Sequence, residues 1–162
     1  MQRRDKINYY LDIAETVLER GTCLRRNYGA IIVKNDSIIS TGYAGAHRGC
    51  KNCTDVGYCK REALNIPRGT RYELCRSVHA EQNAIINASR EEMLGATLYL
   101  AGKDAKTGER IPDCTPCSLC RRFIINAGIE TVIVRRDSDS YETISVASMV
   151  ENDESISGVS PY

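Results

Sequence analysis

His79-Ala80-Glu81 and Pro116-Cys117-Ser118-Leu119-Cys120, with Cys117 lying 38 residues after His79, decide how this chain is read. They supply one imidazole, two thiols and one spare carboxylate. Three protein ligands on a tetrahedral zinc leave the fourth position to water, which marks a catalytic rather than a structural site. A carboxylate two residues after the histidine is placed to take a proton from that water. His79, Cys117 and Cys120 are therefore the expected metal ligands, and Glu81 the expected proton carrier.

Working outward, each half of the pattern opens a helix. His79 precedes Ala80, Ala84, Ile85 and Ala88 at helical spacing, which predicts a helix running to about Glu92. Cys117 opens a second helix that continues through Ala127 and stops at Gly128. In that helix Cys117 and Cys120 stand at i and i+3, so both sulfurs can face one side. Helix N-termini also favour thiolate over thiol. An amphipathic helix is expected over roughly residues 5–20, with Ile7, Leu11, Ala14, Val17 and Leu18 on its apolar stripe. Ala30–Val33 and Ser37–Gly42 flank the turn residues Lys34-Asn35-Asp36 and read as a hairpin. Ala96–Leu100 and Thr131–Val134 are further strands, while 141–150 reads as a strand or a short helix. The order α-β-β-α-β-α-β predicts a central mixed sheet of about five strands with helices on both faces, a three-layer α-β-α architecture. Residues 1–150 are expected to form one domain, with a Cys-rich loop at about 43–77; residues 151–162 form a polar tail.

Composition narrows the function classes. The 162 residues are 42% hydrophobic and 27% charged, ordinary values for a globular chain. No apolar run approaches the roughly 20 residues needed to span a bilayer, so no membrane partner is expected. The first residues lead into an amphipathic stretch rather than a signal-peptide core. A cytoplasmic location follows as the expectation, with the eight cysteines reduced and bound to metal before disulfides. The net charge of +1 hides an asymmetry: residues 1–76 carry +6 and residues 77–162 carry −5. A basic half suits a phosphate-bearing ligand or nucleic acid, or is simply a solvated surface. No long Lys/Arg run of the nucleic-acid-binding kind is present.

On these residues the chain resembles the zinc-dependent cytidine/deoxycytidylate deaminase superfamily, whose signature is H-x-E…P-C-x-x-C. Gly29-Ala30-Ile31-Ile32-Val33, Gly42-Tyr43-Ala44-Gly45, His79–Ile86 and Ala127-Gly128-Ile129 are similar in order and type to its deoxycytidylate branch, across roughly residues 5–135. The resemblance implies hydrolytic deamination of dCMP to dUMP with loss of ammonia, in pyrimidine nucleotide metabolism. It implies one catalytic Zn(2+) on His79, Cys117 and Cys120, and Glu81 as the acid–base group. It further implies a backbone N–H of Ala80 on the pyrimidine carbonyl and the carbonyl of Thr115 on the exocyclic amine. Tyr43 falls in the segment linked to nucleotide recognition. Phosphate contacts are expected from Arg25 or Arg26, with Arg48 or Lys51 as further candidates. Homo-oligomers (hexamers or dimers) and the effectors dCTP and dTTP are part of the same implication.

Three departures bear on the substrate. Ala44 stands where the family has Asn, Tyr28 where the branch usually has Val, and Tyr99 to Pro116 spans 17 positions, lengthened by Lys103–Arg110. That insertion either caps the pocket, adds a phosphate contact or is surface. A free nucleoside, a base or a modified cytosine nucleotide are therefore rival substrates. Several members of the branch hold a second, structural zinc. Here the resemblance assigns it to Cys23 and Cys53, with Cys59 and Cys75 completing the set and Cys50 in reserve; the alternative is a group of reduced, non-ligating thiols. A zinc-stabilised nucleic-acid-binding module is the competing class. Glu81 speaks against it, because a structural site has no use for a non-ligand carboxylate, and nucleic acid is not an expected partner.

Overall fold

The computed structural model describes residues 1–157. The first helix, α1 (Lys6–Leu18), is capped by Asp5, whose side chain accepts from the Asn8 amide. Strands β1 (Arg26–Lys34) and β2 (Ser37–Tyr43) form an antiparallel hairpin. Its turn places Asn35 and Asp36 at φ 51° and 59°, the left-handed pair of a type I′ turn and a conformation these residue types tolerate. Asp36 also accepts from the Tyr10 hydroxyl at 2.6 Å and from Lys6 Nζ at 2.9 Å, so the hairpin tip is tied to α1.

Strand β5 (Thr97–Asp104) pairs antiparallel with β1 and parallel with β6 (Thr131–Arg135), and β7 (Tyr141–Ser145) closes the far edge. The sheet order is β2-β1-β5-β6-β7, a mixed five-stranded sheet as expected. The parallel β5–β6 pair needs a crossover, and α6 (Ser118–Ala127) supplies it. Both faces are covered. Leu11, Ala14 and Leu18 of α1 bury Ile31, Val33, Tyr99 and Ile133 on one side. On the other, α4 (Ala80–Ile86) and α6 bury Ala30, Ile32, Leu98, Leu100, Val132 and Val134. Burial on both faces is why these strands read as unbroken apolar runs rather than alternating ones.

Two glycines let the helices close on the sheet. A Cβ at Gly29 would lie 2.1 Å from the Ala14 carbonyl, and one at Gly42 would lie 2.3 Å from the Ala84 amide and 2.4 Å from the Ala80 carbonyl. Around Gly42, α4 is pinned to β2 by Ser40 Oγ donating to Ala84 O (2.7 Å), Asn83 Nδ2 to Tyr43 O (2.8 Å) and Asn87 Nδ2 to Thr41 O (2.9 Å).

The structure corrects three details of the sequence reading. The helix expected to run from His79 to Glu92 ends at Ile86, and a separate α5 (Arg90–Met93) follows. Ser89 and Glu92 form a capping box there, with Ser89 Oγ accepting from the Glu92 amide at 3.2 Å, which starts a new helix instead of extending the old one. The 43–77 stretch is not featureless. A two-stranded ribbon, β3 (Gly45–Ala46) with β4 (Ser77–Val78), joins its ends, and α2 (Cys53–Val56), α3 (Lys60–Ala63) and a 3-10 turn (Tyr72–Leu74) lie between. Residues 141–150 are both alternatives in sequence: β7, then α7 (Val146–Glu151). Of the expected tail, 152–157 is a series of turns, and residues 158–162 lie outside the described residues.

Gly42→Ala should lower the unfolding free energy by about 3 kcal/mol or more, because two backbone atoms rather than a flexible side chain occupy the space. Urea denaturation of the variant beside the parent measures this; an unchanged midpoint would contradict the packing described.

Candidate active site

The two halves of the sequence pattern meet because α4 and α6 lie side by side on one sheet face and begin at the same end. His79 is the N-cap of α4, with φ −70° and ψ 155°, and its amide donates to Gln82 Oε1 at 2.9 Å. Cys117 is the N-cap of α6, and its sulfur accepts from the Cys120 amide at 3.4 Å. The His79 Nδ1 atom lies 3.3 Å from Cys120 Sγ and 3.5 Å from Cys117 Sγ. Among the described residues these three form the one group of three or more metal-ligating side chains whose donor atoms all lie within 4.8 Å of one another. One imidazole and two thiols fit a zinc and leave a tetrahedral position over. Glu81, beside them and only 5% exposed, is outside that ligand set.

The electrostatics agree with this division. The Cys117 thiol is held down, chiefly by its bond with Cys120 and further by His79, against the effect of burial. Burial alone would depress the His79 imidazole, but Cys117 and Cys75 override it and lift the ring to about 10. Without metal, Cys117 is thus favoured as a thiolate beside a protonated His79, while the bond to Cys117, burial and the Cys117 charge keep Cys120 a thiol, so binding a metal must release the His79 and Cys120 protons. Burial raises the Glu81 carboxyl, with His79 pulling the other way. A carboxyl raised toward neutrality both accepts and returns a proton at little cost. Cys114, three residues before Cys117, is 2% exposed and its thiol is pushed up by burial. It stays out of the triad.

A cleft of about 530 Å³ opens over the triad, a size suited to a small ligand. Arg25, Arg26 and Thr115 line it, as does Ala44. Ala80 is fully buried at the first position of α4, between His79 and Glu81, which do line the cleft. Tyr43 does not line it. Residues 40 and 42 of β2 turn inward to α4, so by strand alternation Tyr43 points the other way and is 38% exposed. Arg48 binds Asn87 Oδ1 at 3.0 Å outside the cleft, and Lys51 is exposed outside it.

The Lys103–Arg110 insertion takes the surface alternative. Asp104 Oδ1 caps its turn through the amides of Lys106 and Thr107, and Arg110 then clasps Glu15 of α1 through two hydrogen bonds. None of its residues lines the cleft. The loop thiols Cys23, Cys53, Cys59 and Cys75 do not form a second group of converging ligands among the described residues, and all are free of disulfides. Cys75 instead faces His79, whose interaction lowers its thiol against the effect of burial.

Sequence reasoning missed Arg61, Arg68, Tyr72 and Arg121, all of which line the cleft. Arg61 and Tyr72 come from α3 and the 3-10 turn, elements too short to leave a periodic signal. Five arginines therefore surround the cleft. Arg25 is offset by Glu62 at 3.0 Å and Arg68 by Asp113 at 3.6 Å, while Arg121 Nε donates to Pro116 O.

Comparison with known proteins agrees with this geometry. Residues 4–136 match the cytidine and deoxycytidylate deaminase zinc-binding region. A deoxycytidylate deaminase of Mycobacterium phage D29 is 34% identical over 143 residues, covering 85% of this chain and 100% of the phage protein. A deoxycytidylate deaminase of Schizosaccharomyces pombe is 32% identical over 127 residues, covering 78% of this chain but 35% of the yeast protein, so the chain spans about a third of that longer relative. The crystal structure of the dCMP deaminase from cyanophage S-TIM5 in complex with dCMP and dUMP superposes with a TM-score of 0.57 at 26% identity, over 83% of this chain and 84% of that one.

Cys120→Ala should reduce bound zinc by about one equivalent per chain, whereas Glu81→Gln should leave it unchanged. Metal analysis after gel filtration checks both. Loss of zinc in Glu81→Gln would put the carboxylate among the ligands.

Proposed function

The chain belongs to the zinc-binding cytidine and deoxycytidylate deaminase family, and from that footing we propose that it hydrolyses dCMP to dUMP and ammonia. The observation that carries the choice of a nucleotide is the joint lining of one cleft by Glu81, by His79 and Cys117 of the triad, and by five arginines, of which only Arg25 and Arg68 are paired with carboxylates among the described residues. A free base or nucleoside brings no anion to offset that charge; a 5′-phosphate does. Zinc, when bound, activates water as the nucleophile. His79, Cys117 and Cys120 are the residues that would hold it.

The protein's own groups supply the rest. Glu81 takes the proton that water gives up as it attacks the amino-bearing carbon. It delivers that proton to the adjacent ring nitrogen, and then carries the proton that allows ammonia to leave. Burial keeps bulk water from competing for that proton. The Ala80 amide, at the start of α4, is the proposed donor to the pyrimidine carbonyl. Thr115, on the rigid approach to Pro116, is the proposed acceptor from the exocyclic amine. That approach is fixed by Arg136 Nη1 donating to Cys114 O at 2.7 Å and by the Ile111 amide donating to Gly102 O at 3.0 Å. No described helix is long and apolar enough to cross a membrane; a cytoplasmic place in pyrimidine nucleotide metabolism is part of the proposal.

Glu81→Ala should lower turnover of dCMP about a thousandfold or more while zinc stays bound. A panel of dCMP, CMP, deoxycytidine and cytosine, followed by ammonia release, should favour dCMP. Activity confined to the unphosphorylated compounds would overturn the nucleotide reading, and a near-parental Glu81→Ala rate would overturn the mechanism.

A further inference from the structure

Arg61 is an unusual arginine. It is 6% exposed, yet it has no carboxylate within salt-bridge distance among the described residues, and its Nε has no hydrogen-bond partner. Its Nη2 donates to the carbonyls of Pro67 (2.9 Å) and Thr70 (2.6 Å). A buried cation without a counter-charge is costly, so its position calls for an explanation beyond holding a loop. The guanidinium lies over the Tyr72 ring, 5.0 Å from its centroid. Tyr72 in turn meets the His79 imidazole in a T-shaped contact, with centroids 5.1 Å apart and planes at 88°. Arginine, phenol and imidazole thus form one continuous stack that ends on a metal ligand.

We propose that Tyr72, locked in place by Arg61, is a positioning residue that holds the His79 ring in its metal-binding orientation; the inference rests on the zinc reading of the triad. A 180° turn of the imidazole would replace Nδ1 by carbon opposite the two sulfurs. A rigid ring packed at right angles against His79 resists that turn. Tyr72 cannot drift, because Arg61 bridges the backbone on its N-terminal side at Pro67 and Thr70 and also covers its face. The same stack gives the lone cation a place, on the Tyr72 face and outside the ligand set. Groups that orient a metal-bound histidine typically change metal affinity 10–100-fold when removed.

The test uses the full chain and four variants, Tyr72→Leu, Tyr72→Phe, Arg61→Met and Arg61→Lys. Zinc affinity is measured by chelator competition, ligand geometry by the visible spectrum of the cobalt(II)-substituted protein, and the fold by urea unfolding of the metal-free form. Tyr72→Leu and Arg61→Met should weaken zinc by about 10–100-fold and alter the cobalt bands, with metal-free stability close to that of the parent. Tyr72→Phe and Arg61→Lys should restore most of the affinity. Unchanged affinity and spectrum in Tyr72→Leu would overturn the proposal. So would a loss of metal-free stability large enough to account for the weakened binding, or a failure of the conservative variants to rescue. If Arg61→Met keeps its zinc and its deoxycytidine turnover but loses dCMP turnover, Arg61 contacts the phosphate instead and the positioning role falls. None of the metal measurements uses a nucleotide, so an error in the substrate assignment would show separately.

Discussion

The close approach of α4 to the sheet at Gly42 is the constraint on which the site depends. With no side chain at that position, the α4 backbone settles directly on β2, and Ser40, Asn83 and Asn87 fix its height and rotation. The parallel pairing of β5 with β6 requires a crossover helix on the same face, and α6 takes that place beside α4. Both helices then begin at one end of the sheet. Their N-cap residues, His79 and Cys117, hold extended backbone angles that turn their side chains toward each other. The ligand triad is therefore a product of sheet order and helix packing, and its precision comes from the core rather than from the long loop around it.

That loop has a different task. It brings Arg61, Arg68 and Tyr72 to the cleft, while Arg25 and Arg26 arrive from the start of β1. The resulting surroundings combine a buried carboxylate with a rim of positive charge. Burial pushes Glu81 toward its neutral form, and the cationic rim suits a ligand with a phosphate. The two effects act on different parts of a nucleotide: one on the base, where protons move, the other on the end that carries the charge.

Much of this was legible in the residues. The two helix-opening motifs named the triad and Glu81, the apolar runs named the central strands, and Lys34-Asn35-Asp36 named the hairpin turn. The Cys117–Gly128 helix ends where its left-handed glycine requires, at φ 80°. What escaped has physical causes. The break after Ile86 depends on a capping box at Ser89 and Glu92, a local signal that competes with an apolar period running straight through it. Tyr43 was assigned by motif position, whereas strand alternation turns it away from the cleft. Lys103–Arg110 left a cap, a phosphate contact and plain surface open, because the choice is set by a tertiary partner, Glu15, that no local pattern reveals. Arg61 and Tyr72 sit on elements of three or four residues, where hydrogen bonds to caps and carbonyls, not periodicity, decide the conformation.

The central claim is that this triad serves a hydrolysis of dCMP that requires its metal. The most direct measurement follows the conversion of dCMP to dUMP by the protein as purified, after its zinc is removed by a chelator, and after zinc is restored. The account predicts conversion with equimolar ammonia, its loss on stripping, and its return on adding zinc back. Equal conversion by the metal-free protein, or no conversion of dCMP by the zinc-loaded one, would contradict it.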